Sequence, residues 1–350
     1  MQKTFLSPLP FSLESGEVLP SISLSYHTYG SFSPGKKVIW VCHALTANSD
    51  VADWWEGLFG PGRLLDPNQY FIVCANMPGS SYGSTSALGL NPETEKPYGK
   101  HFPLFTIRDM VAAFQLLRQE LEIEKIHLLL GGSMGGQQCL EWAIQDPEAI
   151  EHLVVLATNA RHSPWGIAFN EAQRMALRLG EEGIKAARAI AMLSYRNYAM
   201  YQRTQTPEDD WKTDKFSTAG YQQHQGEKLA SRFHADCYYA LSKAMDSHNV
   251  GRGRGGIEEA LEKITAKTLV IGISSDILFP NSEQALLAWS IPDAKLEIIN
   301  SDYGHDGFLT ESVKINKLIR AWLNNPESIG TPLFQSTRNF VCITAPYNAC

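Results

Sequence analysis

The feature that most constrains this chain is a set of short, uniformly apolar runs separated by helical patterns. The runs lie at 37–42, 70–75, 126–130 and 152–157, and turn-forming residues bound them. Between them, residues 107–121 carry apolar side chains at helical spacing, and residues 136–144 do so more briefly. Strands that are apolar throughout are buried on both faces of a sheet. The sequence therefore predicts an α/β fold, with a mostly parallel sheet flanked by helices.

The alternation stops in the second half of the chain. From about residue 161 to 264 there is no strand-like run, only helical patterns at 168–179, 184–198 and 228–245. Strand patterns return at 268–273 and 296–300, and a helical pattern follows at 313–323. Such an insertion is too long to be a loop. We therefore predict a helical lid at 161–264 within a discontinuous core, residues 1–160 and 265–330. The tail, residues 331–350, is assigned no role.

Composition excludes several classes of protein. The net charge is -7, from 30 basic and 37 acidic side chains, which argues against binding to nucleic acid or to an anionic membrane surface. No apolar stretch reaches the roughly 18 residues of a membrane span, and the N-terminus does not resemble a signal peptide, so we expect a cytoplasmic protein. The six cysteines are far apart, without a CxxC or HExxH motif. This predicts free buried thiols and no metal site.

A glycine-rich turn carries the strongest chemical signal. The segment Gly131-Gly-Ser-Met-Gly-Gly136 follows a predicted strand and opens a predicted helix, the setting of a nucleophile elbow. The glycines permit a sharp turn that would raise the Ser133 hydroxyl above the sheet, beside a helix N-terminus that favours negative charge. The alternative is a turn without chemistry, but the strand–turn–helix setting favours Ser133 as a nucleophile.

A serine nucleophile needs a base and an orienting acid, in the chain order Ser, Asp or Glu, His for this architecture. His305 lies in a loop just beyond a late strand, and Asp276 directly follows the strand predicted at 268–273. Both leave the carboxyl ends of parallel strands, where the sites of such sheets collect. Asp302 and Asp306 are nearer to His305 in sequence, but an adjacent residue points away from the imidazole Nδ1. We therefore predict Asp276 as the acid.

The oxyanion of an acyl-transfer intermediate needs two N–H donors. The amide of Met134, the residue after the nucleophile, is one candidate. The loop that follows the first apolar strand supplies the other, and we predict the amide of Leu45. His43 lies in the same loop but precedes Ser133, against the expected chain order. We expect His43 to shape the loop rather than to act as a base.

Two motifs match nucleotide-binding patterns only in part. Residues 30–37 approach a P-loop but lack the Ser or Thr after the lysine and precede a strand, which predicts a surface turn. Residues 251–256 contain G-x-G-x-x-G, but helical sequence precedes them, which predicts a flexible loop. Arg252 and Arg254 in that loop are weaker candidates for contact with an anionic substrate.

Several separated motifs match one enzyme family. They are His43-Ala-Leu-Thr46, Trp54-Trp55 with Gly60-Pro-Gly62, Tyr82-Gly-Ser-Thr85, Asn91-Pro92 with Lys96-Pro-Tyr-Gly99, Thr106-Ile-Arg-Asp-Met110, the serine turn, Ser247-His248 with residues 251–256, and Gly304-His-Asp-Gly-Phe-Leu309. With them the chain resembles homoserine O-acetyltransferases, α/β-hydrolase-fold enzymes of methionine biosynthesis, from about residue 43 to 309. Plain esterases share the elbow and the triad but not the remaining motifs.

The resemblance implies the same triad and adds substrate contacts from Arg188, Tyr195 and Asp306. An arginine can bind the carboxylate of an amino-acid acceptor, and an aspartate can pair with its ammonium group. The resemblance further implies acetyl-CoA and L-homoserine as substrates, a ping-pong reaction through an acyl-serine, and no metal or other cofactor. It also implies a helical lid that forms a homodimer contact.

One loop departs from the family pattern. Where the family has Gly-Gly-Cys-x-Gly-Ser-Thr-Gly-Pro, this chain has Gly79-Ser-Ser-Tyr-Gly-Ser-Thr-Ser-Ala87, and the loop lies near the acyl group in such enzymes. A succinyl-CoA donor or an L-serine acceptor therefore stays open. So does a serine hydrolase or esterase, in which water accepts the acyl group from the same triad. A hydrolase-fold binding protein is disfavoured because all three triad positions are filled.

Overall fold

The computed structural model describes residues 2–92, 94–205 and 211–326, and an eight-stranded sheet forms its centre. The strands are β1 (Gln2–Ser7), β2 (Ile22–Tyr29), β3 (Val38–Cys42), β4 (Phe71–Ala75), β5 (Leu128–Gly132), β6 (His152–Leu156), β7 (Lys267–Ile273) and β8 (Ala294–Ile299). Their order across the sheet is β1-β2-β4-β3-β5-β6-β7-β8. Neighbours from β4 to β8 pair in parallel, and β2 runs against all other strands. The predicted mostly parallel sheet is confirmed.

Both faces of this sheet are buried, and β3 illustrates why its sequence is uniformly apolar. Trp40 faces a core cluster that includes α1 (Ile107–Glu120) and α2 (Met134–Gln145), with its ring 4.9 Å from that of Trp142. Ile39 and Val41 face the opposite cluster, which includes α10 (Ser312–Asn324). Each fully buried side chain of this size contributes about 1.5–3 kcal/mol. This packing holds the carboxyl ends of the strands, where the site forms, rigidly in place.

The remaining helices lie mostly between β6 and β7. They are α3 (Pro164–Leu177), α4 (Glu181–Tyr195), α5 (Tyr198–Gln205), α6 (Ser217–Ala230), α7 (Ala235–Asp246) and α8 (Ile257–Leu261), and α9 (Asn281–Ser290) follows β7. We refer to the helices α3–α7 as the lid. The chain also forms single helical turns at Val51–Trp54 and Gly307–Thr310, and two-residue strands that pair Phe11–Ser12 with Val18–Leu19 and Leu90–Asn91 with Lys96–Pro97.

The prediction of one helix at 228–245 is wrong, because the chain turns between α6 and α7. The buried Phe233 lies in this turn, so the apolar spacing continues across the break. His234 starts the second helix as its N-cap, with its side chain accepting a hydrogen bond from the Asp236 amide. The amide of His234 donates to Ser81 Oγ at 2.9 Å, which joins the turn to the core.

Two further expectations concern thiols and membrane spans. Cys42, Cys74, Cys139 and Cys237 are free and buried, as predicted, whereas Cys342 and Cys350 lie outside the described residues, as does the whole tail. Across the parts of the chain that the structure describes, no helix combines the length and the apolar character needed to cross a membrane.

Candidate active site

Ser133 lies in the tight turn between β5 and α2, with a positive φ of 56°. This backbone conformation is strained for a residue with a side chain and is typical of a nucleophile elbow. The turn is fixed from β6, because the Ser133 amide donates to Leu156 O at 2.9 Å and Thr158 Oγ1 donates to Ser133 O at 2.8 Å. Helix α2 then passes so close to β3 that a Cβ at Gly135 would lie 2.1 Å from the carbonyl oxygen of Cys42.

The structure brings Ser133, His305 and Asp276 together. Ser133 Oγ lies 2.9 Å from His305 Nε2, and His305 Nδ1 lies 2.7 Å from Asp276 Oδ2. The other carboxylate oxygen of Asp276 accepts the amides of Leu278 and Phe279 at 2.8 and 2.9 Å. Because all three side chains are buried, this connected set can move a proton from the serine to the imidazole without solvent.

The two alternative acids face other partners. Asp302 is exposed and pairs with Arg203 at 3.2 Å. Asp306 is buried and forms an ion pair with Arg196, Nε to Oδ2 at 3.0 Å. Asp276, on the loop after β7, is therefore the carboxylate that hydrogen-bonds to the imidazole Nδ1.

Aromatic rings fix the orientation of the His305 ring. The ring of Phe279 stacks on it at 5.0 Å, and those of Phe308 and Tyr195 lie at 5.2 and 5.8 Å. The Gly304 amide donates to Ser275 Oγ at 2.9 Å, which holds the loop that carries the histidine. These contacts restrict rotation of the imidazole and limit access of water to it.

The two amides predicted for the oxyanion are available. Leu45 lines the cavity above Ser133, and Met134 begins α2 directly after the serine. Within the described part of the chain, neither amide has a hydrogen-bond partner. The helix N-terminus adds a positive partial charge at the same place. The arrangement suits stabilisation of a tetrahedral oxyanion.

His43 shapes the oxyanion loop, as the sequence predicts. Its Nδ1 lies 2.9 Å from the carbonyl oxygen of Ala44, and its Nε2 accepts the amide of Met77 at 3.2 Å. Burial lowers the pKa of His43 to about 4, so the ring is neutral near pH 7. A neutral ring with one donor and one acceptor satisfies both contacts.

A cavity of about 520 Å³ opens above the serine, a size typical of small-molecule sites. The triad residues Ser133 and His305 lie at its inner end. Its walls come from the oxyanion loop, the lid and the segment after His305. They include Ala44, Thr46, Arg188, Tyr195, Asp306 and Leu309, with Asp53, Trp54, Lys228 and Arg232 among the remaining lining residues. The structure thus gathers the three residues implied by the family resemblance around the triad.

Arg188 and Tyr195 lie on the same face of α4 and contact each other. The guanidinium carbon of Arg188 is 5.4 Å from the centre of the Tyr195 ring, a cation–π arrangement. Burial raises the pKa of Tyr195, so its phenol stays protonated near neutral pH. The cation is therefore held at the cavity wall, where an anionic group of a substrate can meet it.

Other predicted contacts are absent from this cavity. Arg252 pairs with Glu14 at 2.7 Å, and Arg254 pairs with Glu141 at 2.5 Å. Acidic side chains of the same chain therefore hold both arginines outside this cavity, and the hypothesis that they meet an anionic substrate stays a prediction. The divergent loop at 79–87 does not line the cavity either, although its Tyr82 hydroxyl contacts Arg232, which does.

Sequence reasoning missed three cations near the site. Lys228 lies on α6 and Arg232 in the turn between α6 and α7; both are exposed, and in the sequence they resemble ordinary solvated residues. Arg196 directly follows Tyr195, yet the helical pattern was expected to run on to residue 198. The helix ends at Tyr195 instead, and Arg196 adopts an extended backbone. The place of Arg196 directly after Tyr195 in the sequence is the one signal that would have identified it as a residue near the site.

A cluster of possible metal ligands lies outside the cavity, among the described residues. Ligand atoms of His127, Glu151 and His152 lie within 4.8 Å of one another. They are already engaged, since His127 Nδ1 lies 2.7 Å from Glu151 Oε2 and His152 Nδ1 lies 3.0 Å from His127 O. The prediction that the protein has no metal site stays a prediction.

Comparison with known proteins agrees with this geometry. Residues 37–312 match the family model of the alpha/beta hydrolase fold. The homoserine O-acetyltransferase of Cyclobacterium marinum is 44% identical over 333 residues, which cover 92% of this chain and 95% of that protein. The crystal structure of the enzyme of that name from Staphylococcus aureus has a TM-score of 0.78 and 31% identity, covering 93% of this chain and 96% of its own.

A solved esterase, E22, has the same fold, with a TM-score of 0.83, 21% identity and coverage of 92% of this chain and 99% of its own. At that identity the likeness concerns the fold alone, whereas the similarity to the two acetyltransferases extends through the sequence of nearly the whole chain. The predicted α/β-hydrolase fold is confirmed, and the chain belongs to the homoserine O-acetyltransferase family.

Proposed function

We propose that the protein transfers an acetyl group from acetyl-CoA to the hydroxyl of L-homoserine, through an acetyl-Ser133 intermediate. The observation that carries this proposal is the cavity in which an assembled triad meets a cation and an anion, Arg188 and Asp306. The similarity to homoserine O-acetyltransferases supports the reaction class. Its product, O-acetyl-L-homoserine, belongs to methionine biosynthesis.

In the first half-reaction, His305 Nε2 accepts the proton of Ser133 Oγ, and the oxygen attacks the thioester carbonyl. The amides of Leu45 and Met134 stabilise the oxyanion that develops. When the tetrahedral intermediate collapses, the C–S bond breaks and His305 returns the proton to the departing sulfur. Coenzyme A leaves, and the acetyl group remains esterified to the serine.

In the second half-reaction, the hydroxyl of homoserine gives its proton to His305 and attacks the acetyl carbonyl. Collapse of the second tetrahedral intermediate breaks the ester bond to Ser133, which takes the proton back from His305. O-acetyl-L-homoserine leaves, and the enzyme is restored. Proton transfer and charge stabilisation are supplied by side chains and amides, so we propose that no metal or other cofactor is needed.

Two charged side chains bind the carboxylate and the ammonium group of the acceptor. We assign its carboxylate to Arg188 and its ammonium to Asp306, since each pairing is charge-assisted. The hydroxyl at the far end of the acceptor then reaches the acetyl group. Such positioning favours homoserine over water, as do the aromatic rings around His305.

The donor is a polyanion, and two cations besides Arg188 contribute to the cavity wall. Arg232 donates to Thr46 O at 2.6 Å and also contacts the Tyr82 hydroxyl. The ammonium group of Lys228 has no hydrogen bond or ion pair with any described residue. In a chain with a net charge of -7, this local positive charge suits the phosphates of coenzyme A.

The lid also supports the proposed homodimer. Its helices and the turn between α3 and α4 expose large apolar side chains, among them Trp165, Met175, Leu179, Leu193 and Tyr198. We propose that these side chains form the contact surface of the dimer, since exposed apolar patches mark interaction sites. Replacing Leu179 with Glu should shift the mass in light scattering from dimer to monomer, whereas Val313→Glu, at an equally exposed apolar residue on α10, should not. A monomeric wild-type protein would contradict the proposal.

A cytoplasmic location stays part of the proposal. Its support is chemical: the cysteines of the described residues are free thiols, the state that reducing compartments maintain.

The test of the function is CoA release from acetyl-CoA, measured with L-homoserine, with L-serine and without an acceptor, and repeated with succinyl-CoA. We expect strong stimulation by homoserine with the acetyl donor. Release at the same rate without an acceptor would identify a hydrolase instead. Ser133→Ala should abolish the covalent acetyl-enzyme, and an acetyl adduct on that variant would remove Ser133 as the nucleophile.

A further inference from the structure

Arg196 contacts the acceptor-binding carboxylate from outside the cavity. Its Nε lies 3.0 Å from Asp306 Oδ2, and both side chains are largely buried. Asp306 contributes to the cavity wall and Arg196 does not. The guanidinium therefore contacts this carboxylate without itself lining the space in which a substrate binds.

The backbone fixes Arg196 in this place. Helix α4 ends at Tyr195, and Arg196 continues in an extended conformation against the loop that carries His305. A Cβ built at Gly304 would lie 2.8 Å from Tyr195 O and 3.0 Å from the Arg196 Cα, so the two segments are in direct backbone contact. The position of Arg196 is thus tied to that of the catalytic histidine loop.

In this geometry one carboxylate oxygen of Asp306 pairs with Arg196, and the other can bind a substrate group. Oδ2 faces Arg196, and a carboxylate can accept several hydrogen bonds through its other oxygen. A buried carboxylate without a charged partner is costly and free to rotate toward any nearby donor. Within the described residues, Arg196 Nε has no hydrogen-bond partner, so its contact with Asp306 is an ion pair that orients the group by charge.

We propose that Arg196 is a positioning residue that orients the free oxygen of Asp306 toward the ammonium group of the acceptor. The inference rests on the proposed function, because it assigns the part of that acceptor which Asp306 recognises. It predicts that Arg196 acts on selection of the acceptor and not on acylation of Ser133.

The experiment compares Arg196→Met and Arg196→Lys with the wild type. Arg203→Met is the matched control, because Arg203 pairs with Asp302 on the same loop but in solvent. Acylation is followed as the burst of p-nitrophenol from p-nitrophenyl acetate. Transfer is followed with L-homoserine and with 4-hydroxybutanoate, which has the same hydroxyl and carboxylate but no ammonium group.

We expect Arg196→Met to raise the KM for homoserine by about tenfold or more, the range for loss of a charge-assisted contact. The burst rate and kcat/KM for 4-hydroxybutanoate should stay within about twofold of the wild type, since neither involves an ammonium group. Arg196→Lys should restore part of the affinity for homoserine, and Arg203→Met should leave all three quantities unchanged.

Equal losses with homoserine and 4-hydroxybutanoate, or an unchanged KM for homoserine, would overturn the inference. If Arg196→Met loses the burst, Arg196→Lys decides: a normal burst with a raised homoserine KM supports the inference, and joint loss of both overturns it. Wild-type protein that acylates but does not prefer homoserine to water refutes the proposed function, whatever the variants do.

Discussion

At the scale of single residues, hydrogen-bond partners separate two carboxylates that lie close to His305. Asp276 receives two backbone amides on one oxygen and the imidazole on the other, so its orientation is completely fixed. Asp306 instead meets Arg196 and the cavity. The first carboxylate therefore suits stabilisation of an imidazolium, and the second suits recognition of a cation from outside.

The first prediction concerns Asp276. Asp276→Asn should retain the fold but lower kcat by about 10³–10⁴, because an amide cannot stabilise the imidazolium and favours the wrong tautomer. The measurement is CoA release at saturating acetyl-CoA and homoserine, with the melting temperature as a check of folding. Asp302→Asn, on the exposed side of the loop, is the control. A similar loss of kcat in both variants would contradict the assignment.

The second prediction concerns Lys228 at the cavity wall. Lys228→Met should raise the KM for acetyl-CoA by about fivefold at low salt, the effect of one partly exposed ion pair with a phosphate. The KM for S-acetyl-N-acetylcysteamine, a thioester without phosphates, should not change. Lys185→Met, at a lysine of α4 that pairs with Glu182, is the control. If both thioesters are affected equally, Lys228 does not bind the phosphates.

The sequence predicts where the triad lies because each of its members follows a strand of the parallel sheet. Strand ends in a parallel sheet meet at one edge, so Ser133, Asp276 and His305 can be placed without knowledge of the lid. Partners that come from distant helices leave no such pattern. The pairing of Arg254 with Glu141 and of Arg196 with Asp306 depends on how the lid packs on the core.

At the scale of secondary-structure elements, the same contrast separates central strands from edge strands. The central strands are buried on both faces and have uniformly apolar sequences. At the edge, β1 is mostly exposed, and the sequence patterns predict no strand at β1 or at β2. The helical spacing of apolar residues also gave a wrong prediction at the turn before α7. Phe233 is buried there, so the spacing continues although the helix does not.

The third prediction concerns the contact between α2 and β3. In Gly135→Ala the new methyl group would meet the Cys42 carbonyl oxygen at 2.1 Å, and backbone on both sides must move. We expect a loss of stability above about 3 kcal/mol, together with loss of acylation, because Ser133 moves with the helix. Urea unfolding and the p-nitrophenol burst measure the two effects.

The control for this prediction is Gly220→Ala in α6. A Cβ there meets no atom within 4 Å, and alanine favours a helix interior by about 0.5–1 kcal/mol over glycine. This variant should therefore be as stable as the wild type or slightly more so. If Gly135→Ala behaves in the same way, the close contact of α2 with β3 does not determine the elbow.

At the scale of the whole molecule, buried histidines link stability to pH. Burial lowers the pKa of His43 and His162 to about 4 and that of His248 to about 3, from 6.5 for a free side chain. Each is neutral in the folded protein, but in the unfolded chain each binds a proton below pH 6.5. Their contribution to stability is present above that pH and is lost as the pH falls toward the folded values.

Glu283 has the opposite effect on the pH dependence of stability. Burial raises its pKa from 4.5 to about 7, so the folded state retains a proton that the unfolded chain releases. Its contribution is present below pH 4.5 and is lost as the pH rises through 7. Near pH 5.5 the three histidines outweigh this single carboxyl group, and over these four groups the unfolded chain binds about two more protons than the folded protein.

The fourth prediction follows from this balance. The free energy of unfolding should fall by about 2–3 kcal/mol as the pH is lowered from 6 to 5, as measured by urea titration at several pH values. His248→Asn should reduce that slope by about half, because one of the net protons is removed while an amide N–H can still donate to Asn159 O. His224→Asn, at an exposed position on α6, should keep the wild-type slope. An unchanged slope in His248→Asn would mean that this histidine is protonated in the folded protein, despite its complete enclosure and the nearby Arg108 and Arg252.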